Sequence, residues 1–419
     1  MTVTVEPFLH GHATHPDWRM ALALCAAQID GQRSLHETPP EPTLGWVYFS
    51  EQYLPEAEAL LEALRERWPQ AQWVGGCGAG VLACGAEYRD EPALSVMVAC
   101  LDRSLFRVFS GQRPLGTFRA GTLQVHADLL APDLPELLRE LGERSVNRRM
   151  FGGVVFGRRR GTQIAGAALS GGLSGVALHE RLPVLTRVAQ GCRPLGPVRR
   201  ITRAERNQVL TLDGRPALDC LLEDLGVPAG DLKALAPRLR EMLAGVVPAG
   251  LRAERKASDP AMQVRRLVGV TAGRGAVALA EDFDAWPHDD GGDLGAGLVF
   301  CQADSAQARS DLVRACSEIR DELLSDDEAW RMSEGCHESA QDQDPALSWL
   351  RSRIAGAVYV SCASRGGDRF GGPWSELETV RRALGDVPLV GLYAMAEIAD
   401  QQLHSHSGVL SVFLREEVA

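Results

Sequence analysis

The chain has 419 residues, 45% of them hydrophobic and 24% charged, a length that carries two or three domains with sizeable cores. No apolar run reaches the ~18 to 20 residues that cross a bilayer, so no membrane role is expected. The net charge is −11 and the longest basic run is Arg158-Arg159-Arg160, which argues against a nucleic-acid-binding role.

Residues 1–43 read as a tail and lead-in, with His10, His12 and His15 in a disordered stretch and no basic-then-apolar leader. A cytoplasmic protein is expected, its ten cysteines free as thiols are there by default; none forms a C-x-x-C pair, so zinc and redox-dithiol readings lose their usual support. "LGWVYFS" (Leu44–Ser50) predicts a strand, and apolar spacing predicts a helix over Leu54–Trp68. "AQWVGGCGAGVL" is a strand breaking into glycines, and "PALSVMVACL" with "FRVFSG" predicts an antiparallel pair. After a helix in "PDLPELLRELGER" come strands around "RMFGGVVFG", "TQIAGAALS", "SGVAL" and "LPVLTRVAQ". The middle predicts helices from about Arg215 and over Asp231–Leu243, then a hairpin from "MQVRRLVGVT" and "GAVALAE". Strand "LGAGLVFCQ", a helix over Asp304–Leu324 and an acidic stretch at 325–345 with Cys336-His337 follow, the stretch reading as a loop or disordered insertion. Strand 355–361, helix 374–384 and strands 387–392 and 408–414 end the chain.

One unit is used twice. "VYFS", helix, "WVGGCGAGVL", "ALSV" parallels "VYVS", helix, "LVGLYAMAEI", "VLSV", which aligns Val81 with Glu397 and Ser50 with Ser361. The expected fold is α/β with α+β character: two pseudo-related lobes of mixed sheets flanked by helices, divided as 44–212 and 213–419.

Several chemistries can be weighed. Phosphate-loop and zinc-protease motifs are absent, and "GGCGAG" fails the dinucleotide pattern because Val81 stands where glycine is needed. "ALSGG" at Ala168–Gly172 is a degenerate nucleophile elbow, but strand-like "LSGVAL" follows where a helix should. Cys362 ends a strand that leads to a helix, and Arg365 and Arg369 beside it would favour a thiolate. The plain alternative is a buried small residue beside solvated arginines. Glu397 lies one short strand later and would pair with Arg365 or hold a structural ion pair. His404 and His406, two apart, would share one face of a strand and could ligate a metal or haem iron; solvated loop histidines are the commoner case.

The motifs "FGGVVFGRR", "GAALSGGLSGVAL", "VAQGCRPLGPVRRIT", "LDGRPALDCL", "VSCASRGGDRFGGPWSELE", "VPLVGLY" and "AEIADQQLHSHSGVLSVF" together resemble the FIST family, over about Trp46 to Phe413. The resemblance implies a sensory module with an N-terminal and a C-terminal FIST domain, binding amino acids or related metabolites. Some bacterial members look like haem proteins that respond to nitric oxide. The family's Cys-x-x-Arg-Gly motif matches Cys362, Arg365 and Gly366, while its Gly-Glu-Ile is Ala396-Glu397-Ile398 here. The expected ligand site is therefore Cys362, Arg365, Gly366, Arg369 and Glu397, with Arg365 holding an anionic group. Cys77, Gly78 and Gly80 form the equivalent turn of the first lobe. No metal or cofactor and no catalysis are expected; haem at His404 or His406 and thiol chemistry at Cys362 are the alternatives. Partners would be a small-molecule ligand and a signalling protein.

Overall fold

The structure, a computed structural model, describes residues 5–6, 8–35, 41–131, 133–157, 161–228, 230–247, 262–280, 283, 294–326, 345–367, 370–372 and 374–415. It divides into two compact units: 1–189 with 312–403 and 408–419, and 190–311 with 404–407.

The chain opens with β1 (Leu9–Thr14), α1 (Trp18–Arg33), β2 (Leu44–Ser50), α2 (Ala57–Arg67), β3 (Gln72–Gly78), β4 (Gly80–Ala83), β5 (Ala86–Arg89) and β6 (Ala93–Ala99). Then come β7 (Phe106–Ser110), β8 (Ala120–Ala127), α3 (Leu134–Gly142), β9 (Ser145–Val154), β10 (Thr162–Ala165), β11 (Ala168–Ser170), β12 (Leu173–His179) and β13 (Val184–Ala189). The middle holds β14 (Cys192–Pro194), β15 (Arg199–Glu205), β16 (Gln208–Leu212), β17 (Arg215–Pro216), α4 (Ala217–Leu225), α5 (Leu232–Leu235), β18 (Met242–Val247), β19 (Gln263–Thr271), β20 (Ala276–Leu279) and β21 (Gly297–Ala303). The last part is α6 (Ser305–Asp326), α7 (Pro345–Arg353), β22 (Ile354–Cys362), α8 (Ser375–Leu384), β23 (Leu389–Ala394), β24 (Glu397–Ala399), β25 (Gln402–His404) and β26 (Gly408–Leu414).

Three repeats build the first unit. In each, two parallel strands are joined through a helix, and a later strand pairs antiparallel to the first: β2, α2, β3 with β6; β8, α3, β9 with β12; β22, α8, β23 with β26. The two related segments expected from the sequence are the first and third repeats, and the second joins them. After its parallel pair each repeat sends a strand to another's sheet: β4 to β23, β24 to β9, β10 to β3. The exchange closes a circle. At the crossings the Ala79 N–H donates to the Tyr393 carbonyl at 2.9 Å, Met395 to Val154 at 2.9 Å and Phe156 to Cys77 at 2.8 Å. Each repeat also needs a glycine beside its neighbouring strand. At Gly75 and Gly152 φ is +143° and +148°, and a Cβ would stand 1.9 and 1.8 Å from the carbonyl oxygens of Val47 and Val125.

Both faces of these sheets are covered, so their central strands read as unbroken apolar runs. Outward, Val47 and Phe49 meet Leu60, Leu61 and Leu64 of α2, each burial contributing about 1.5–3 kcal/mol. Inward, Trp46, Phe151, Val358 and Phe413 share one core. A polar chain runs through it: Trp46 Nε1 donates to Gln124 Oε1 (2.7 Å), Gln124 Nε2 to the Tyr48 hydroxyl (2.8 Å), and that oxygen lies 3.0 Å from His126 Nε2. Burial pushes His126 down to about 3, which keeps it neutral.

In the second unit β21, β15, β16, β20, β19 and β18 pair in that order, and β18 pairs back to β21, closing a six-stranded antiparallel barrel. Leu218, Leu221 and Leu222 of α4 pack on its apolar interior with Ile201, Val246 and Phe300. Arg199 and Asp224 fix that helix with two bonds of 2.6 and 2.7 Å.

The structure corrects several expectations. His10 and His12 lie in β1, which pairs with β6, and α1 follows. Gln28 and Gln32 of α1 bond the open side of β1: their amides donate to the His12 and His10 carbonyls at 2.8 and 2.6 Å and their oxygens accept from the same residues' N–H groups at 3.2 Å. β6 and β7 are not a pair; β7 joins β12 in another sheet. Only Leu232–Leu235 of the helix expected over Asp231–Leu243 is α-helical, and barrel strand β18 starts at Met242. Helix α2 starts at Ala57 because Pro55 sits in a preceding 3-10 segment. Arg158 to Arg160, Arg369, Cys336, His337 and most of the acidic insertion lie outside the described residues.

Candidate functional site

The crossing from β22 to α8 begins at Cys362 and ends at Trp374. Alternation along β22 aims Tyr359 and Ser361 outward, under α8. There a single carboxylate oxygen, Glu376 Oε1, accepts from the Tyr359 hydroxyl at 2.5 Å and the Ser361 hydroxyl at 2.8 Å, and lies 3.0 Å from Arg365 Nε as an ion pair. Glu376 is 0% and Arg365 1% exposed. Arg365 Nη1 also donates to the Ala189 carbonyl at 2.5 Å, and its guanidinium lies 5.1 Å from the buried Phe370 ring. Glu376 is thus a carboxylate partner of Arg365 that the sequence reading, which named Glu397, did not include.

A second buried carboxylate, Glu87 of β5, occupies the start of α8. Its Oε1 accepts from the N–H groups of Glu376 and Leu377, both at 2.9 Å, and its Oε2 from the Tyr393 hydroxyl at 2.7 Å. Burial, then the nearby charge of Glu376, raises its pKa above the usual carboxylate range. The helix end that would attract a ligand anion is therefore filled by the protein's own side chain. Arg89 stacks on Tyr393 at 4.3 Å and donates to the Ala363 carbonyl at 2.9 Å. That leaves no room at Gly366: a Cβ would fall 2.4 Å from both Arg89 Nη1 and the Tyr393 hydroxyl oxygen. Gly366 serves packing inside the crossing.

Cys362 is 4% exposed, with Sγ 3.1 Å from Ser364 Oγ. The strand register makes Ser50, not Glu51, its counterpart: Ser50 stands opposite Gly78 and Cys362 opposite Ala394. The sequence alignment was one residue out, and in a strand one residue changes the face. Glu397 does correspond to Val81, and Gln163 is the third member, since these face Gly153, Leu392 and Gly76. Cys77 is fully buried, and burial pushes its thiol up. Gly78 and Gly80 lie close against β23, at Leu392 and Tyr393.

The two histidines do not share a strand face. His404 ends β25, whereas His406 sits beyond it in a left-handed conformation at φ +58°. They are 5% and 9% exposed, which offers no open approach for haem iron, so these residues do not fit that group. Among the described residues no three His, Cys, Asp or Glu side chains converge as metal ligands, and no helix is long and apolar enough to cross a membrane.

Trp374 is the unexpected member. It is 59% exposed and holds φ +60°, while its Nε1 donates to the Glu87 carbonyl at 3.2 Å. Two glycines, Gly371 and Gly372 at φ +116° and +133°, lead into it. Sequence reading placed Trp374 at a helix start and missed its role, together with Glu87, Glu376 and Tyr393. The signal was there for Glu376: Tyr359 and Ser361 put two hydroxyls on one face of a buried strand, which calls for an acceptor opposite.

A family model described as the FIST N domain matches residues 43–215, and one described as the FIST C domain matches residues 217–400. The chain is 26% identical to an uncharacterised protein of Mycobacterium tuberculosis over 426 residues, 96% of this chain and 98% of that one. It is also 26% identical to an uncharacterised protein of Mycobacterium bovis over 428 residues, with 96% and 98% covered. The seam between the two family models falls inside the barrel unit, 190–311.

Proposed function

Because the chain belongs to the FIST family, whose domains are recognised as sensory and signal-transduction modules, we propose that it binds a small metabolite, such as an amino acid, at the crossing between Cys362 and Trp374. The observation that carries this reading is Trp374. A left-handed backbone costs a bulky residue about 1–2 kcal/mol, and an indole more than half exposed recovers little of that by burial. Its N–H is pinned to Glu87 while its ring faces solvent, the arrangement of a contact surface for a ligand. Arg365 is a positioning residue in this reading: with Glu376 it holds the start of the crossing in place. The reading is of a binding protein and not a catalyst, since Cys362 is buried and engaged with Ser364.

Thermal-shift screening with amino acids, 2-oxo acids and nucleotides tests it. A ligand at 100 times its dissociation constant stabilises by about 2.7 kcal/mol. The expected result is a shift that Trp374→Ala removes and Trp374→Phe partly keeps. A ligand that stabilises Trp374→Ala as well as the wild type would move the site elsewhere. A panel without any shift would reject the ligand class.

A further inference from the structure

Helix α1 buries one face, through Trp18, Ala21, Leu22, Cys25, Ala26 and Ile29. Its other face should be polar. Instead Met20 is 49% and Leu24 45% exposed, and Ala23, Ala27 and Gly31 are exposed beside them. A Cβ on Gly31 would meet nothing within 4 Å. Positions 20, 23, 24, 27 and 31 make one stripe along the helix, without a charge in it. Its bulky members lie in the first half and its smallest in the second.

We propose that this stripe is a two-fold interface with a second copy of the chain, the two α1 helices packed antiparallel. About an axis midway between residues 25 and 26, Met20 meets the partner's Gly31 and Leu24 meets the partner's Ala27. The reverse contacts follow by symmetry, so each side chain that protrudes finds a gap on both sides of the axis. A parallel arrangement would set Met20 beside Met20 and leave Gly31 facing a void. Charge agrees with the antiparallel choice. Arg19, 67% exposed, comes beside the last turn of the opposing helix, at the negative end of its dipole. One helix seam buries less than the roughly 1,200 Å² of a standard stable interface, so the dimer is a weak one.

Sedimentation velocity of the full chain from about 1 to about 500 µM tests this, a range that spans weak association. The expected result is a concentration-dependent dimer that Leu24→Glu abolishes and Gly31→Leu weakens by about tenfold or more. Adding Met20→Ala to Gly31→Leu moves the bulk from one half of the stripe to the other and should restore dimerisation. Far-ultraviolet circular dichroism melts check folding; these solvent-facing changes should not lower the midpoint, and Gly31→Leu should raise it slightly through helix propensity. A monomer throughout the range, or a dimer indifferent to Leu24→Glu, overturns the interface. Failure of the exchanged pair to recover overturns the antiparallel register.

Discussion

Glu376 gathers two hydroxyl donors and the Arg365 guanidinium around one buried oxygen. Removing one partner of a buried ion pair costs about 3–5 kcal/mol, because the other charge stays buried. Glu376→Gln should therefore lower the urea midpoint sharply; a loss below about 1 kcal/mol would mean that this oxygen is not the main counter-charge. A second residue-scale consequence concerns pH. Burial lowers His126 to about 3 and His10, with a smaller effect from His12, to about 4, against 6.5 for the ordinary side chain. Below pH 6.5 the unfolded chain then binds more protons than the folded one, so stability falls as pH falls. Each histidine should remove about 2 kcal/mol between neutral pH and pH 5. Urea unfolding at the two pH values measures the drop, and His126→Gln should lose about half of it; an unchanged slope would place the protons elsewhere. At this scale the sequence reading found the thiol and the arginine but not Glu376, Glu87 and Tyr393 around them. Glu87 and Glu376 are 289 positions apart, and nothing local announces that a strand from one end of the chain will cap a helix at the other.

At the scale of elements, long helices and long apolar strands were legible, and short elements and the pairing of strands were not. The α2, α6 and α8 segments and the long strands carry their patterns within one window. The expected pairing of β6 with β7 failed because adjacency in sequence suggests a hairpin, while closure of the ring sends the two to different sheets. The second repeat escaped notice because β8 to β12 share the geometry of the other two repeats without their wording: Ala127-Asp128 stands where they have Phe49-Ser50 and Ser361-Cys362. Its glycine gives it away. Gly152 has its Cβ space filled by the Val125 carbonyl oxygen, as Gly75 has with Val47 and Gly391 with Tyr359. Gly152→Ala should cost about 3 kcal/mol or more, from left-handed strain plus overlap with backbone that cannot retreat. Gly172→Ala, at φ +65° but with open space around it, should cost about 1 kcal/mol. Equal losses in thermal melts would show that crowding is not the larger cause.

At the scale of the molecule, circular exchange of strands makes the three repeats one cooperative body. None can keep its sheet intact once another has opened, since β3, β9 and β23 each borrow an edge partner. Hydrogen exchange should therefore show the central amides of these three strands opening with the same free energy, and a hierarchy among them would argue for separable lobes. A molecule assembled by passing strands between sheets carries a hazard: a sheet that accepts strands from within could accept them from without. The first sheet runs out at β1, and there Gln28 and Gln32 hold the His10 and His12 amides and carbonyls as a seventh strand would. Those two side chains act as an end-stop on the sheet. They make strand exchange a finite operation, completed inside one chain and closed to polymer growth along that edge.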